Sequence, residues 1–343
     1  VEAAARSRQS WTILAVGIAL SLALLLLAGR NLHWEQVRAA LAGAQLGPWL
    51  PLAVLSYLVG HFVRGLRTRR LVSRDAELTT ATATSVVVVG YAVNNILPAR
   101  LGEFARAGML TERTGLPIAQ SLTVTLLERI LDGWVLSLFL GLTILAIPVA
   151  GTIHEVAEIA AAVFLLATAA IGLVLLAPSF FIGAVSRSTS RLPERWHDRM
   201  IRIGLDVAQG LAYLRRPRDA ARVFGLSVVV WTLEAGLFLF LLPAFALPFD
   251  PWWALLALSV TNLGILLPST PGYVVVFHYF CQQALASVGV APAVGVSYAV
   301  VVHLGFYVPI TLWGIGIILW YGLQLGQTIA MARQARRVTF PIQ

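Results

Sequence analysis

The residues able to do chemistry in this chain sit where a lipid bilayer makes them costly. Glu128, Arg129 and Asp132 fall inside one apolar run. Arg100, Glu103 and Arg106 follow a break in another, Val93-Asn94-Asn95-Ile96-Leu97-Pro98-Ala99-Arg100-Leu101-Gly102-Glu103. A charge at the centre of a membrane helix costs roughly 2.5–3.5 kcal/mol on insertion scales, so such groups are paired or functional. Glu103 and Arg106 are three apart, share a helix face and can neutralise each other. Glu128 and Asp132 are four apart and face the same way, with Arg129 three before Asp132. Two loci carrying both signs can join into one network. It would be a buried ion-pair staple, the lining of a ligand site, or both.

A second break reads Asn262-Leu263-Gly264-Ile265-Leu266-Leu267-Pro268-Ser269-Thr270-Pro271-Gly272. Pro98 and Pro268 cannot continue a helix, while Gly102 and Gly272 tolerate unusual dihedrals and close approach. Helices starting near Leu101 and Gly272 would aim free N–H groups at membrane depth, a natural seat for phosphate with Arg100 beside it. Asn95, Arg100, Glu103, Arg106, Glu128, Arg129, Asp132, Ser269, Thr270, Gly272 and His278 are therefore the candidate substrate-binding residues. Glu234 and His303, each inside a crossing, are candidates for proton coupling; a hydrogen-bonded core role is the plain alternative for both.

Enzyme signals are thin. His154-Glu155-Val156-Ala157-Glu158 resembles a zinc-binding helix, but Glu158 stands where the second histidine belongs. No G-x-S-x-G elbow occurs, and Ser269 is flanked by proline rather than by a nucleophile turn. No metal and no cofactor is expected.

The elements that must position these groups are helices. Six runs are long enough to cross, about 11–29, 48–66, 117–147, 156–178, 220–243 and 293–321. Two more segments, about 79–113 and 252–290, are each split by a break. Arg6 and Arg8 set the N-terminus in the cytoplasm, and Trp34, Glu35 and Arg38 suggest a short interfacial helix outside. Arg64, Arg67, Arg69, Arg70 and Arg74 then mark an inside loop, as do Arg187 to Arg222 and, at the C-terminus, Arg333, Arg336 and Arg337. All these clusters share one side only if 79–113 enters from and returns to the cytoplasm, and 252–290 does the same from outside. The expected fold is an all-α polytopic membrane protein with six spanning helices and two oppositely oriented re-entrant hairpins. A full crossing at 79–97 with an interfacial 101–112 is the alternative.

An internal repeat points the same way. Pro117 and Pro292 each open a long crossing after a hairpin, and eleven residues on lie Glu128 and His303. The halves, about 79–147 and 252–321, form an inverted repeat within a single domain spanning 1–343. The segment 183–216 reads as an amphipathic cytoplasmic connector.

Composition closes off other classes. Of 343 residues, 58% are hydrophobic and 12% charged, which excludes a soluble domain. All the basic residues are arginines, and the net charge of +9 is gathered in short loops and termini, a positive-inside pattern rather than a nucleic-acid footprint. The lone Cys281 cannot build a disulfide or a cysteine metal site. The run Trp11–Ala28 is long for a signal peptide and is read as a retained helix. The partners expected are membrane lipids with an anionic or lipid-linked headgroup; the chain could also form a homo-oligomer.

Asn94 to Glu103, Glu128-Arg129-Ile130-Leu131-Asp132-Gly133 and Pro268-Ser269-Thr270-Pro271-Gly272 together resemble the signature stretches of the lysylphosphatidylglycerol synthase transmembrane family, over about 11–325. The resemblance implies a lipid translocase fold that moves a headgroup across the bacterial inner membrane. Two departures stand out. The chain ends at Gln343 without the aminoacyl-transferase domain, so it is not expected to make lysylphosphatidylglycerol. Tyr273 to His278 also differ from related chains, which often carry glycine and an acidic residue there. The function expected is a lipid transporter with a midplane cavity and both termini cytoplasmic. An integral-membrane transferase or accessory subunit acting on polyprenyl-linked sugars, and a small-solute transporter, are the alternatives.

Overall fold

A computed structural model describes residues 33–97, 101–151, 153–266 and 271–320. The first expected crossing, 11–29, and the candidates Arg100, Ser269 and Thr270 lie outside the described residues. Within them the chain is helical: α1 (Trp34–Gly43), α2 (Leu46–Val72), α3 (Thr80–Ile96), α4 (Leu101–Thr114), α5 (Ile118–Ala146), α6 (Ile153–Leu176), α7 (Pro178–Thr189), α8 (Glu194–Gly210), α9 (Pro217–Leu241), α10 (Pro251–Gly264), α11 (Val274–Ala286) and α12 (Pro292–Trp320). Local chemistry sets the starts. The Thr79 hydroxyl accepts from the Thr82 N–H at 3.1 Å to cap α3, and Asp250 accepts from the Trp252 N–H at 2.8 Å to cap α10. Prolines open α7, α9 and α10, where no intrahelical N–H is needed.

Among the described residues, five helices are long and apolar enough to cross a membrane: α2, α5, α6, α12 and α9 with its short extension to Phe245. Their outward faces carry Leu145, Leu166, Leu176 and Leu319, all more than 70% exposed. Water would not tolerate such a belt, whereas lipid tails do, so this is an integral membrane protein.

The two broken segments form helical hairpins, α3 against α4 and α10 against α11. Their arms run 13 to 17 residues, short of the ~20 that span a bilayer core. The hairpin α3/α4 closes through glycine: a Cβ on Gly102 would collide with the Gly90 carbonyl and the Asn94 side chain. The tips then meet. Tyr307 Oη donates to the Asn95 carbonyl at 3.2 Å, and Asn95 Nδ2 donates to Thr311 Oγ1 at 2.8 Å. The backbone of Gly272, across the second tip, lies against the Tyr307 ring and the Asn95 carbonyl. Tyr307 sits at the middle of the 29-residue α12, a helix about 43 Å long, so the tips meet at half its depth.

Each hairpin is flanked by two long helices, and the two sets interlock. α2 packs along α9, α3 packs on α12, and α10 packs on α5. Each hairpin thus sits in a helix–hairpin–helix arrangement, α2–α3/α4–α5 and α9–α10/α11–α12. The core joins both units: Tyr57, Leu136, Trp231, Leu258, Phe277 and Tyr298 belong to one buried cluster.

The connector differs from a single amphipathic helix. It is two helices, α7 and α8, packed together and broken at 190–193. Asp75 fastens α8 to α5, accepting from Gln209 Nε2 at 2.7 Å and Gln120 Nε2 at 3.1 Å.

Candidate functional site

The apolar face of α2 continues past the end of its hydrophobic run, through Tyr57, His61, Arg64, Thr68 and Leu71, all buried at a spacing of three or four. Arg64 and Arg67 are 1% and 0% exposed. They are therefore core residues, which corrects their assignment to an inside loop. Arg64 reaches Glu234 Oε1 on α9 through Nε at 2.9 Å and Nη2 at 2.6 Å, and Asp132 Oδ2 on α5 through Nη1 at 3.1 Å. Its guanidinium lies between the rings of Tyr91 and Trp231, at 5.3 and 4.8 Å from their centroids. Arg67 binds Asp132 Oδ1 at 2.5 Å and Ser227 Oγ at 2.8 Å, with Glu128 Oε1 at 3.5 Å from Nε.

Asp132 is the hub. Besides Arg64 and Arg67 it takes Trp231 Nε1 at 2.9 Å and Arg129 Nη2 at 2.9 Å. The expected pairing of Arg129 with Asp132 is present, and Arg129 Nη2 also donates to Tyr91 Oη at 2.9 Å. The expected pairing of Glu103 with Arg106 is not. Arg106 turns to Glu128 on α5 and to Thr68 Oγ1 at 2.6 Å, and Thr68 in turn donates to Glu128 Oε1 at 2.8 Å. Buried arginine and carboxylate outcompete a pair on one helix face, because a desolvated pair gains more from each hydrogen bond.

Glu103 instead accepts from Asn94 Nδ2 at 2.8 Å, while Asn94 Oδ1 accepts from the Gly102 N–H at 2.7 Å. Asn94 thus bridges the break and caps the first turn of α4, so that N–H is not free for a ligand. At the second tip, Gly272 (φ 70°) and Tyr273 (φ 58°) are both left-handed, and α11 starts at Val274. Two such residues in succession, one of them tyrosine, hold strain of the kind that gathers at ligand sites.

The result is a set of four arginines (Arg64, Arg67, Arg106, Arg129) and four carboxylates (Glu103, Glu128, Asp132, Glu234), formally neutral. Five of its eight members, Arg64, Glu103, Arg129, Asp132 and Glu234, form the polar wall of a cavity of about 120 Å³, room for well more than one water. Tyr91, Asn94, Asn95, Glu103, Arg129, Asp132 and Glu234 line that polar wall. Phe164, Leu237, Phe238, Tyr273, Phe277 and Phe306, with Asn262 and Leu266 from the end of α10, line the rest of the space. The Phe164 ring of α6 presses onto Gly133, where a Cβ would overlap it, and seals that side.

Arg106 and Glu128 stand behind the polar wall rather than on it. His278 and His303 do not line the cavity either. Their rings are 5.0 Å apart, and His303 stacks on Phe306 at 4.9 Å and packs at a tilt against Phe277 at 4.8 Å, two phenylalanines that line the space themselves. Gly272 lies at the tip. Arg64, Tyr91, Trp231 and Asn262 complete the wall and were not singled out from sequence. The signal for Arg64 was its three-and-four spacing with His61 and Thr68. The partner of Glu234 has no local sequence signal, because Arg64 is 170 residues away.

The family described as lysylphosphatidylglycerol synthase TM region matches residues 14–314 of the chain. A comparison with curated proteins found no match.

Proposed function

Because the chain belongs to the lysylphosphatidylglycerol synthase TM region family, we propose that it is a lipid transporter moving a phospholipid or lipid-linked headgroup between leaflets through the cavity at the hairpin tips. The observation that carries this reading is the mixed lining of the cavity, charged and amide groups together with aromatic and aliphatic ones, at the hairpin tips. An amphiphile needs both. The headgroup exchanges water for the polar wall, while its acyl chains stay against apolar surface. Alternating access would come from one helix–hairpin–helix unit rocking against the other about the α2–α9 contact. The arginine clusters on one side, Arg69, Arg70 and Arg74 with Arg187 to Arg222, support a bacterial cytoplasmic membrane with both termini inside.

The test is leaflet exchange in reconstituted vesicles, read with chain-labelled phosphatidylglycerol and a membrane-impermeant quencher. Wild type is expected to exceed protein-free vesicles, and Arg129→Gln, which removes a cavity cation whose side chain is 27% exposed, to fall well below wild type. Exchange at the protein-free rate, or release of entrapped inorganic phosphate in its place, would overturn the reading.

A further inference from the structure

The polar wall has a specific set of unused hydrogen-bonding positions. Both Arg64 bonds to Glu234 fall on Oε1, leaving Oε2 without a partner among the described residues. Asn94 bonds Oε2 of Glu103, leaving Oε1 in the same state. Asn262 spends Nδ2 on the Leu258 carbonyl at 2.8 Å, which leaves its Oδ1 as a spare acceptor. Donors are spare as well. Tyr91 Oη accepts from Arg129 while its own proton has no acceptor among the described residues, and Tyr57 Oη has no partner among them either. Spare acceptors and spare donors therefore line the same small space, whose ion pairs are already neutralised.

Three headgroup chemistries can be set against that pattern. A bare phosphate brings acceptors only and leaves the carboxylate oxygens unmet. An ammonium brings donors only and leaves the O–H protons of Tyr57 and Tyr91 without an acceptor. A hydroxyl donates and accepts at once, so neighbouring hydroxyls satisfy both kinds of group. The exposed faces of Tyr273 and Phe306 add flat apolar surface against which the C–H face of a polyol or sugar packs. Resting on the lipid-transport reading above, we propose that this cavity selects a lipid whose headgroup carries adjacent hydroxyls, with Tyr57 and Asn262 as residues that read them.

The experiment uses the full chain in vesicles and four chain-labelled lipids of identical acyl composition: phosphatidylglycerol, a monohexosyl diacylglycerol, phosphatidic acid and phosphatidylethanolamine. The two hydroxylated lipids are expected to exchange faster than the other two. Their ratio distinguishes a glycerol from a sugar as the source of the hydroxyls. Tyr57→Phe removes one oxygen and nothing else, and should cut the preference by about two- to tenfold, one hydrogen bond's worth. Asn262→Leu should do the same from the other hairpin. Equal exchange of phosphatidic acid and phosphatidylglycerol, or fastest exchange of phosphatidylethanolamine, would overturn the proposal while leaving transport intact. Should no lipid move, native mass spectrometry of the protein with the same four lipids reads retention directly. Preferential retention of hydroxylated lipids would then uphold the selectivity although transport had failed; indiscriminate retention would overturn it.

Discussion

Glu128 is fully buried, and its removal should be felt as stability. It accepts from Thr68 at 2.8 Å, pairs with Arg106, and has Arg67 Nε at 3.5 Å. In Glu128→Ala, Arg67 keeps Asp132 and Ser227, but Arg106, only 4% exposed, is left with the Thr68 hydroxyl alone. Breaking a buried pair costs about 3–5 kcal/mol when one charge is stranded. With one cation stranded rather than two, the low end applies, about 3 kcal/mol. At about 2–4 °C per kcal/mol for large domains, the melting temperature should fall by about 6–12 °C. Intrinsic fluorescence of the purified protein in nanodiscs reads this directly, through its ten tryptophans. The double variant Glu128→Leu/Arg106→Leu removes both charges and keeps the volume filled, so it should recover most of the loss. A single variant melting within about 1 °C of wild type, or a double variant less stable than the single, would refute the claim that this pair staples α4 to α5.

Other perturbations have equally specific outcomes. Gly102→Ala should prevent α3 and α4 from closing and abolish the yield of monodisperse protein, whereas Gly141→Ala, with open space around it, should match wild type on the same size-exclusion trace. Gly272→Ala forces a Cβ into left-handed backbone at φ 70° and towards Tyr307, and should cost about 1–2 kcal/mol or more in a thermal melt. Asp206 on α8 has its carboxyl raised from the usual range by burial. A raised carboxyl opposes folding only where it must ionise. Asp206→Asn should therefore raise the melting temperature at neutral pH and have no effect near pH 3, below the ordinary carboxylate range.

Five of the expected crossings and both hairpins were legible in the sequence because apolar run length and proline position are local signals, although the crossing expected at 48–66 runs on to Val72. The expected 79–113 and 252–290 became α3/α4 and α10/α11 with ends shifted by a few residues. The clustering of Glu128, Arg129 and Asp132 with Arg106 was legible for the same reason, since burial makes charge conspicuous. Partner choice was not. Arg106 bonds across the hairpin rather than to Glu103, and Glu234 finds Arg64, because a desolvated charge takes whichever partner tertiary packing brings closest. Arg64 and Arg67 were hidden by their setting: next to Arg69, Arg70 and Arg74 they read as one basic loop, and only the helical period separates the buried pair from the rest. The strain at Tyr273 had no sequence signal, since nothing in the residue type asks for a left-handed backbone.

The most direct test of the central claim is to fill the cavity without touching the ion network. Asn262 lines the space from the end of α10 and bonds only within its own helix. Asn262→Trp, checked for an unchanged melt and assayed for leaflet exchange of chain-labelled lipid, should behave as protein-free vesicles while wild type moves lipid. A well-folded Asn262→Trp that exchanges lipid at the wild-type rate would contradict passage of the headgroup between the hairpin tips.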